Sequence, residues 1–413
     1  MVQVKVDCRY PIGIHRLTLR RAAGQIAPSF PCRKHVMFRF IHSSDLHLGK
    51  PFGRHSEDVR GRLRLARHGA LARLADVARA QGAAVVLLAG DTFDQQTPAP
   101  AITRQALNAM AQAGDITWVL MPGNHDSLAA SELWQTITRD KPANVITALS
   151  AAPIDLGGAY VLPAPCTVRN PGRDLTADMG QATPEGAIRI GLGHGGIHDF
   201  GNDAAEGPSG TIPPDRATQA GLEYLALGDW HGQIRVSSTT WYSGTPEADS
   251  FKHQGQGTAL AVALAGAGAG AVPEVVPVRT GEIGWHRIAL ELTPQDDSAA
   301  LITAALPPLE TRRDTMVQVT AQGRLGVQQM QHLRAALTHA APDFLSLTHD
   351  LDAVLLAHDT ADLEAIDPSG GALRQAADAL STRAQNADIS ASERRVAATA
   401  LAQLFAFVGG EEA

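Results

Sequence analysis

The chain has 413 residues, which is enough for two or three domains of about 100–200 residues each. Hydrophobic residues make up 44% of it and charged residues 19%, so neither a disordered chain nor a collagen-like one fits. The net charge is −7, yet Lys and Arg concentrate in residues 1–36 and 50–79 while the remainder is acidic, which excludes a uniformly basic surface and is compatible with a polyanion bound at one place.

Residues 1–36 have no clear hydrophobic period and no apolar core of the length that a secretory signal has. A strand pattern, Phe38-Arg39-Phe40-Ile41, begins abruptly after Met37. We interpret residues 1–36 as an N-terminal extension, either a disordered arm or a mis-assigned start for which Met37 is the natural first residue.

Short apolar segments alternate with longer helical patterns from Met37 onwards. Apolar residues recur at helical spacing over residues 58–80, which predicts the first helix, and a second helix is predicted over 102–112. Strand, helix and strand at this spacing predict βαβ units with right-handed crossovers, and hence a layered α/β domain. The predicted strands are 38–42, 84–89, 117–121, 187–191, 224–227 and 239–242.

The pattern changes after Gly284. Before it, apolar segments at 259–263 and 275–278 predict a closing hairpin. After it, three strands alternate with two helices, which we interpret as a small α+β unit over 285–356. A helical tail follows over 357–413, and its last helix ends before Gly409, a residue suited to a C-cap. The elements predicted here are strands 286–292, 316–321 and 345–349 and helices 297–305, 328–340 and 396–408.

Cysteine content and hydropathy indicate a compartment. Cys8, Cys32 and Cys166 are odd in number and lack C-x-x-C spacing, which argues against a disulfide scaffold and a thiolate zinc site. No apolar run approaches the roughly 20 residues that a membrane span needs. We therefore expect a cytoplasmic protein without a membrane-spanning segment.

Acidic and imidazole side chains follow most of the predicted strands directly, at the edge where ligands bind in open α/β sheets. Residues i and i+2 of an extended segment point the same way, so Asp45 and His47 can reach one ion, and so can Asp229 and His231. Singly, each cluster could be a turn, a helix cap or a core histidine, but together they predict a metal centre. The clusters are Asp45-Leu46-His47, Gly90-Asp91, Gly123-Asn124-His125-Asp126, Gly193-His194-Gly195 and Asp229-Trp230-His231.

These clusters, in this order, resemble those of the calcineurin-like metallophosphoesterase family. Two segments are similar to its DNA-repair nuclease branch, the SbcD-like one: Ser44-Asp45-Leu46-His47-Leu48-Gly49 and Gly90-Asp91-Thr92-Phe93-Asp94. Tyr242-Ser243-Gly244-Thr245-Pro246 is similar to a Tyr-Pro-Gly-Ser stretch of that branch. The resemblance implies a layered β-sandwich flanked by helices over 37–284, with 285–356 as a capping domain by layout only.

The resemblance also implies roles for individual residues. Asp91 would bridge two divalent metal ions, most simply Mn²⁺, with Fe or Zn as alternatives. One ion would be held by Asp45, His47 and His231, and the other by Asn124, His194 and Asp229. His125 would be the catalytic imidazole at the scissile phosphate, with Asp126 orienting it, while an activated water attacks in line.

One position departs from the branch, which has Gly-His-x-His where this chain has Gly228-Asp229-Trp230-His231. An aspartate can still ligate a hard cation and favours Mn²⁺ over softer metals. The alternative is a weakly bound second ion and slow turnover. His198 is a reserve ligand four residues after His194.

Three functions remain open from the sequence. The first is a Mn²⁺-dependent DNA exo/endonuclease in DNA repair, which by resemblance would work as a homodimer with an SbcC-like coiled-coil ATPase. The second is a small-molecule phosphoesterase that acts on a phosphomonoester or a cyclic nucleotide, and the third is a non-catalytic scaffold. Trp230 could stack on a base or pack under the site. The side chains predicted to contact DNA phosphates are Lys50, Arg54, Arg60, Arg64 and Arg67, whose alternative is a solvated helix face.

Overall fold

The structure, a computed structural model, describes residues 37–197, 211–253, 255–266, 272–357 and 370–408. The predicted N-terminal extension, His198 and Gly409 lie outside these residues. Within the described parts of the chain, no helix combines the length and the apolar character that crossing a membrane requires.

The strands form three sheets. In chain order they are β1 (Phe38–Ser43), β2 (Val85–Leu88), β3 (Thr117–Leu120), β4 (Val145–Thr147), β5 (Ile154–Asp155), β6 (Ala159–Ala164), β7 (Ile188–His194), β8 (Tyr224–Gly228), β9 (Ile234–Arg235), β10 (Thr240–Tyr242), β11 (Thr258–Leu264), β12 (Glu274–Arg279), β13 (Gly284–Leu292), β14 (Thr315–Gly326) and β15 (Ser346–Ala357). The first sheet has the order β12-β11-β1-β2-β3-β4, the second β5-β6-β7-β8-β10-β9 and the third β13-β14-β15.

The helices flank these sheets. They are α1 (Glu57–Ala80), α2 (Pro100–Gln112), α3 (Ser131–Asp140), α4 (Arg216–Gln219), α5 (Ser298–Ala305), α6 (Leu309–Arg312), α7 (Val327–Ala340), α8 (Ala372–Gln385) and α9 (Ala391–Val408), with 3-10 turns at Leu175–Gly180 and Ala341–Asp343. The predicted mixed α/β class, with several sheets and flanking helices, is confirmed. The closing hairpin is also present, because β11 and β12 pair antiparallel.

The first two sheets pack face to face. Phe40 and Val119 of the first sheet share a buried cluster with Ile190 and Tyr224 of the second. Ile41, the next residue after Phe40, points the opposite way into a second cluster formed with α1, α2 and α3. Successive strand residues point to opposite faces, so β1 is apolar throughout because both of its faces are covered.

A buried histidine links the two sheets. His42 of β1 contacts the Tyr224 hydroxyl through Nδ1 at 3.0 Å and the Leu227 carbonyl through Nε2 at 3.2 Å. Burial, opposed by the Leu227 hydrogen bond, lowers the pKa of His42 from 6.5 to about 3. The neutral ring thus joins β1 to β8 three residues before the first predicted metal ligand.

The third sheet corrects one part of the predicted fold class. Its strands run parallel, β13 to β14 and β14 to β15, with α5 and α6 in the first crossover and α7 in the second. Since each strand returns to the sheet through helices, the unit is a βαβαβ arrangement rather than the expected α+β one. Its role as a cap, and the boundaries at 284 and 356, stay predictions.

Two helices lie in the predicted tail. α8 and α9 pack on each other through a small cluster in which Ala377 and Leu401 are buried and Leu380 and Leu404 are partly buried.

Candidate metal centre

The predicted ligands lie where strands of the first two sheets end. β1, β2 and β3 run parallel in the first sheet, and β7 and β8 run parallel in the second. Parallel strands present their carboxyl ends at one edge of a sheet. Asp45, Asp91 and Asn124 follow β1, β2 and β3, while His194 ends β7 and Asp229 follows β8. Packing the two sheets brings both edges together.

Four of the predicted ligands have strained backbones. Asp45, His47, Asp91 and Asp229 have φ angles of +56°, +42°, +53° and +105°, in the region that non-glycine residues rarely adopt. Such strain costs on the order of 1–3 kcal/mol per residue and persists where the surroundings enforce it. Here the Asp45 and His47 amides donate to the Gly90 and Asp91 carbonyls at 3.1 and 2.9 Å, so the first two loops brace each other.

Asp45, His47 and His231 form the first group. One ligand atom from each lies within 4.8 Å of the other two. The Nε2 atoms of His47 and His231 are 3.1 Å apart, and each lies about as far from Asp45 Oδ1, at 3.9 and 4.0 Å. Two imidazoles and a carboxylate converge here from three separate loops.

The second group lies on the other side of Asp91. One ligand atom each of Asp45, Asp91 and His194 also fall within 4.8 Å of one another. His194 Nε2 is 3.5 Å from Asp91 Oδ2 and 3.8 Å from Asp229 Oδ1. Asp91 Oδ2 is also 3.7 Å from His47 Nε2, so the Asp91 carboxylate lies between the two groups.

Two buried atoms in this region fit a metal. His194 Nδ1 donates to the Ala89 carbonyl at 2.8 Å, which leaves Nε2 as the atom with a free lone pair. Within the described residues, His194 Nε2 and Asn124 Oδ1 are buried without a hydrogen-bond partner. Buried polar atoms are otherwise almost always paired. Carboxylate, imidazole and amide donors suit Mn²⁺, Fe or Zn, so the residues present fit two divalent ions on either side of Asp91.

Glycines allow the loops to come this close. A Cβ at Gly123 would lie 2.2 Å from Asp91 Oδ1, and one at Gly90 would lie 2.3 Å from His194 Nδ1. Neither position has room for a side chain beside the predicted ligands.

The charges of this region also call for a cation. Burial raises the pKa of Asp229, as do the Asp45 and Asp91 carboxylates, despite the opposing effect of His194. Burial alone would raise the pKa of Asp91, but the His194 and His47 imidazoles bring it below its usual range. A buried cluster of carboxylates is unfavourable unless positive charge compensates it.

His125 and Asp126 do not contact each other as expected. The His125 ring bonds through Nδ1 to the Asp94 carbonyl at 2.7 Å. The buried Asp126 carboxylate instead accepts the amides of Phe93 and Gly123 at 3.0 and 2.7 Å. Burial and the Asp91 charge raise the pKa of Asp126 to about 7. The orienting role predicted for Asp126 is therefore corrected: it fixes two loops, and Asp94 is the partner of His125.

Asp94 and Asp249 are the residues that the sequence reasoning missed. Asp94 Oδ1 lies 3.3 Å from His47 Nδ1, and Asp249 Oδ1 lies 3.2 Å from His231 Nδ1. Asp94 stood within the quoted Gly90–Asp94 segment and could have been selected. Asp249 lies 18 residues after His231, and no spacing pattern connects the two.

The predicted DNA-contacting cations have diverse surroundings. Arg67 is 1% exposed and donates to the Leu46 and Glu247 carbonyls at 2.5 and 2.9 Å, so its predicted contact with substrate is wrong. Lys50 pairs with Asp249. Arg60 and Arg64 both pair with Glu57 on the exposed side of α1. Arg54 is exposed.

Comparisons with known proteins agree with this geometry. Residues 38–232 match the model of the calcineurin-like phosphoesterase family. YhaO, an uncharacterized metallophosphoesterase of Bacillus subtilis (strain 168), is 26% identical over 234 residues, 52% of this chain and 55% of YhaO. The matched region thus spans about half the length of this relative. The crystal structure of TT1561 of Thermus thermophilus is 10% identical and covers 59% of this chain and 99% of its own, with a TM-score of 0.37, too low to carry an argument. The family match supports a metal-dependent phosphoester hydrolase.

Proposed function

We propose that this chain, whose residues 38–232 match the calcineurin-like phosphoesterase family, is a phosphodiesterase that uses two divalent ions, most simply Mn²⁺, and acts on DNA as an exo/endonuclease. The observation that carries the proposal is the position of the Asp91 carboxylate, between the His47 and His194 imidazoles at 3.7 and 3.5 Å. A role in DNA repair, a homodimer and an SbcC-like ATPase partner belong to the same proposal.

The chain's own residues would have three tasks. Asp45, His47 and His231 would hold one ion and Asn124, His194 and Asp229 the other, with Asp91 shared. Two ions bound there would supply an activated water and neutralise charge on the phosphate.

The third task is proton transfer by His125. Its Nδ1 is engaged by the Asp94 carbonyl and its amide donates to Asp91 Oδ1 at 2.8 Å, which leaves Nε2 to meet the departing oxygen of the substrate. The His125 ring lies edge-on to His47 with centroids 4.7 Å apart, so it faces the first group of ligands.

A small-molecule phosphoesterase is the second candidate, because the basic side chains offer less to DNA than their number suggests. Arg67 is buried, and Lys50, Arg60 and Arg64 each have a carboxylate partner. Surface ion pairs of this kind exchange readily, so a phosphate backbone can still compete for Arg60 and Arg64. The DNA proposal rests additionally on the similarity of the Ser44–Gly49 and Gly90–Asp94 segments to the nuclease branch.

The test compares substrates with Mn²⁺ present. Purified protein is incubated with labelled single- and double-stranded DNA, bis-nitrophenyl phosphate and nitrophenyl phosphate. We expect DNA cleavage that weakens steeply with salt, and a loss of about 10²–10⁴-fold in His125→Ala. His339→Ala, at an exposed position of α7, is the control.

Two other outcomes contradict the proposal. Hydrolysis of the monoester with intact DNA would favour the small-molecule enzyme. Failure to hydrolyse any of the four, with Mn²⁺ bound, would favour the scaffold.

A further inference from the structure

Trp230 lies at the surface although it stands between two predicted ligands, Asp229 and His231. Its side chain is 42% exposed, whereas tryptophan is on average a highly buried residue. It therefore does not pack under the metal centre. An exposed tryptophan beside a catalytic centre is available to a substrate.

A row of rings connects the centre to Trp230. The ring centroids of His47 and His231 are 4.9 Å apart, those of His231 and His253 are 6.5 Å apart, and those of His253 and Trp230 are 5.1 Å apart. The series runs from the buried first group of ligands to the surface. Lys252 adds a cation, with its Nζ 5.4 Å from the centroid of the Trp230 ring.

Gly232 allows the last two rings to lie together over the backbone. A Cβ at this position would be 2.7 Å from His253 Nδ1 and 2.9 Å from Trp230 Nε1. Any larger residue would displace one ring or both. The arrangement of Trp230 and His253 thus depends on this glycine.

We propose that Trp230 and His253 form a stacking platform for a nucleobase that flanks the scissile phosphodiester. This inference rests on the proposed phosphodiesterase function and specifies the part of the substrate beyond the phosphate. Every base has a π-face, so an aromatic platform accepts bases with little sequence preference, and a nearby cation such as Lys252 attracts the backbone.

A base that stacks on the platform cannot remain stacked within a duplex. Unstacking a paired base costs a few kcal/mol, and a base in a single strand avoids most of that cost. The platform therefore gives the enzyme a preference for single strands and frayed ends over intact duplex.

The experiment measures binding of phosphorothioate single strands, which resist cleavage, by fluorescence anisotropy with Mn²⁺ present. Trp230→Ala is compared with Trp230→Phe, which keeps a stacking ring, and with Gly232→Ala, which displaces the rings. Each protein is tested with an intact strand and with strands that carry one abasic position in turn. Metal content is measured alongside, because a stacking role leaves it unchanged.

We expect Trp230→Ala to bind the intact strand about tenfold more weakly, with Gly232→Ala affected in the same direction and Trp230→Phe within about threefold of the original protein. One abasic position should weaken the original protein by a similar factor and Trp230→Ala not at all. Equal binding of the original protein and Trp230→Ala, or a loss of bound metal in Trp230→Ala, overturns the inference.

Failure of the proposed function is distinguishable. If the original protein binds neither strand nor duplex, the DNA assignment fails and the platform for DNA fails with it. A cyclic mononucleotide arm covers the other source of a nucleobase. If Trp230→Ala weakens only that ligand, the platform serves a small nucleotide, which overturns the assignment to DNA.

Discussion

His231 is held from behind by a carboxylate. Asp249 lies 3.2 Å from His231 Nδ1, and it is buried with Lys50 and Arg67 beside it. Burial alone would raise the pKa of Asp249, but His231, Arg67 and Lys50 hold it well below its usual range. A carboxylate on one ring nitrogen fixes the tautomer that leaves the other nitrogen free for a metal. Asp249 is therefore a positioning residue for His231.

Replacement of Asp249 should weaken metal binding. We expect Asp249→Ala to lower Mn²⁺ affinity by about 10–100-fold, the usual effect of losing such a partner, and Asp249→Asn to lose less because its amide oxygen still accepts from the ring. Isothermal titration calorimetry on the metal-free protein measures both, and Asp352→Ala, at an exposed position of β15, is the control. Unchanged affinity in a folded Asp249→Ala protein contradicts the assignment.

His42 should make stability depend on pH. Its pKa falls from 6.5 to about 3 on folding because burial disfavours the charged ring. Between these values the unfolded chain binds a proton that the folded chain does not, so stability falls as the pH drops below 6.5, by about 1.4 kcal/mol per unit. Above pH 6.5 this residue contributes no slope.

Urea unfolding at several pH values between 6.5 and 5, with EDTA present, measures this effect. His42→Gln should remove about that much of the slope, whatever its absolute stability, while His339→Gln on α7 should keep the slope. Parallel curves for the original protein and His42→Gln would show that the His42 ring is not buried neutral.

Helix α1 ties the loops of the centre together at the scale of a whole element. Its apolar side, including Leu71 and Leu74, packs on the first sheet. Arg67 projects from α1 into the protein and donates to the Leu46 carbonyl after β1 and to the Glu247 carbonyl after β10. One buried guanidinium thus holds the loop of Asp45 and His47 against the loop of Asp249.

Arg67 and Arg64 should therefore separate stability from DNA binding. We expect Arg67→Met to cost about 3–5 kcal/mol of unfolding free energy, because it leaves Asp249 and two carbonyls without a buried partner. Arg64→Met should cost no more than about 1 kcal/mol, since its pair with Glu57 is exposed. Urea unfolding measures both, and equal losses would contradict the buried role of Arg67.

The two sheets together form the centre at the scale of the whole molecule. Asp45 and Asp91 come from the first sheet and His194 and Asp229 from the second, so their buried carboxylates repel one another across the sandwich unless a cation lies between them. Metal binding should therefore stabilise the folded chain as a whole.

Thermal unfolding with and without Mn²⁺ tests this. At a concentration 100 times the dissociation constant, an ion that binds only the folded chain adds about 2.7 kcal/mol per site, so Tm should rise with Mn²⁺ and fall with EDTA. Asp229→Ala should reduce the rise if Asp229 ligates the second ion. A Tm that does not respond to Mn²⁺ or EDTA would contradict the metal centre.

Local patterns predicted the elements well because their information is local. The strand of Phe40 and the helix of Leu74 were apparent from apolar spacing. Short elements such as α3 and β9 were missed because a few residues carry too little periodicity. The α+β assignment of 285–356 was wrong because apolar spacing identifies strands but not the parallel direction in which they pair.

The ligand residues could be selected from sequence because each follows a strand with a carboxylate, amide or imidazole beside glycine. The sequence by itself thus determined which residues hold the metal chemistry and which elements present them. Only the tertiary structure decided that Asp94 partners His125, that Asp249 holds His231, that Arg67 is buried and that Trp230 is exposed. These properties depend on contacts between residues far apart in the chain, and such contacts exist only once the two sheets have packed together.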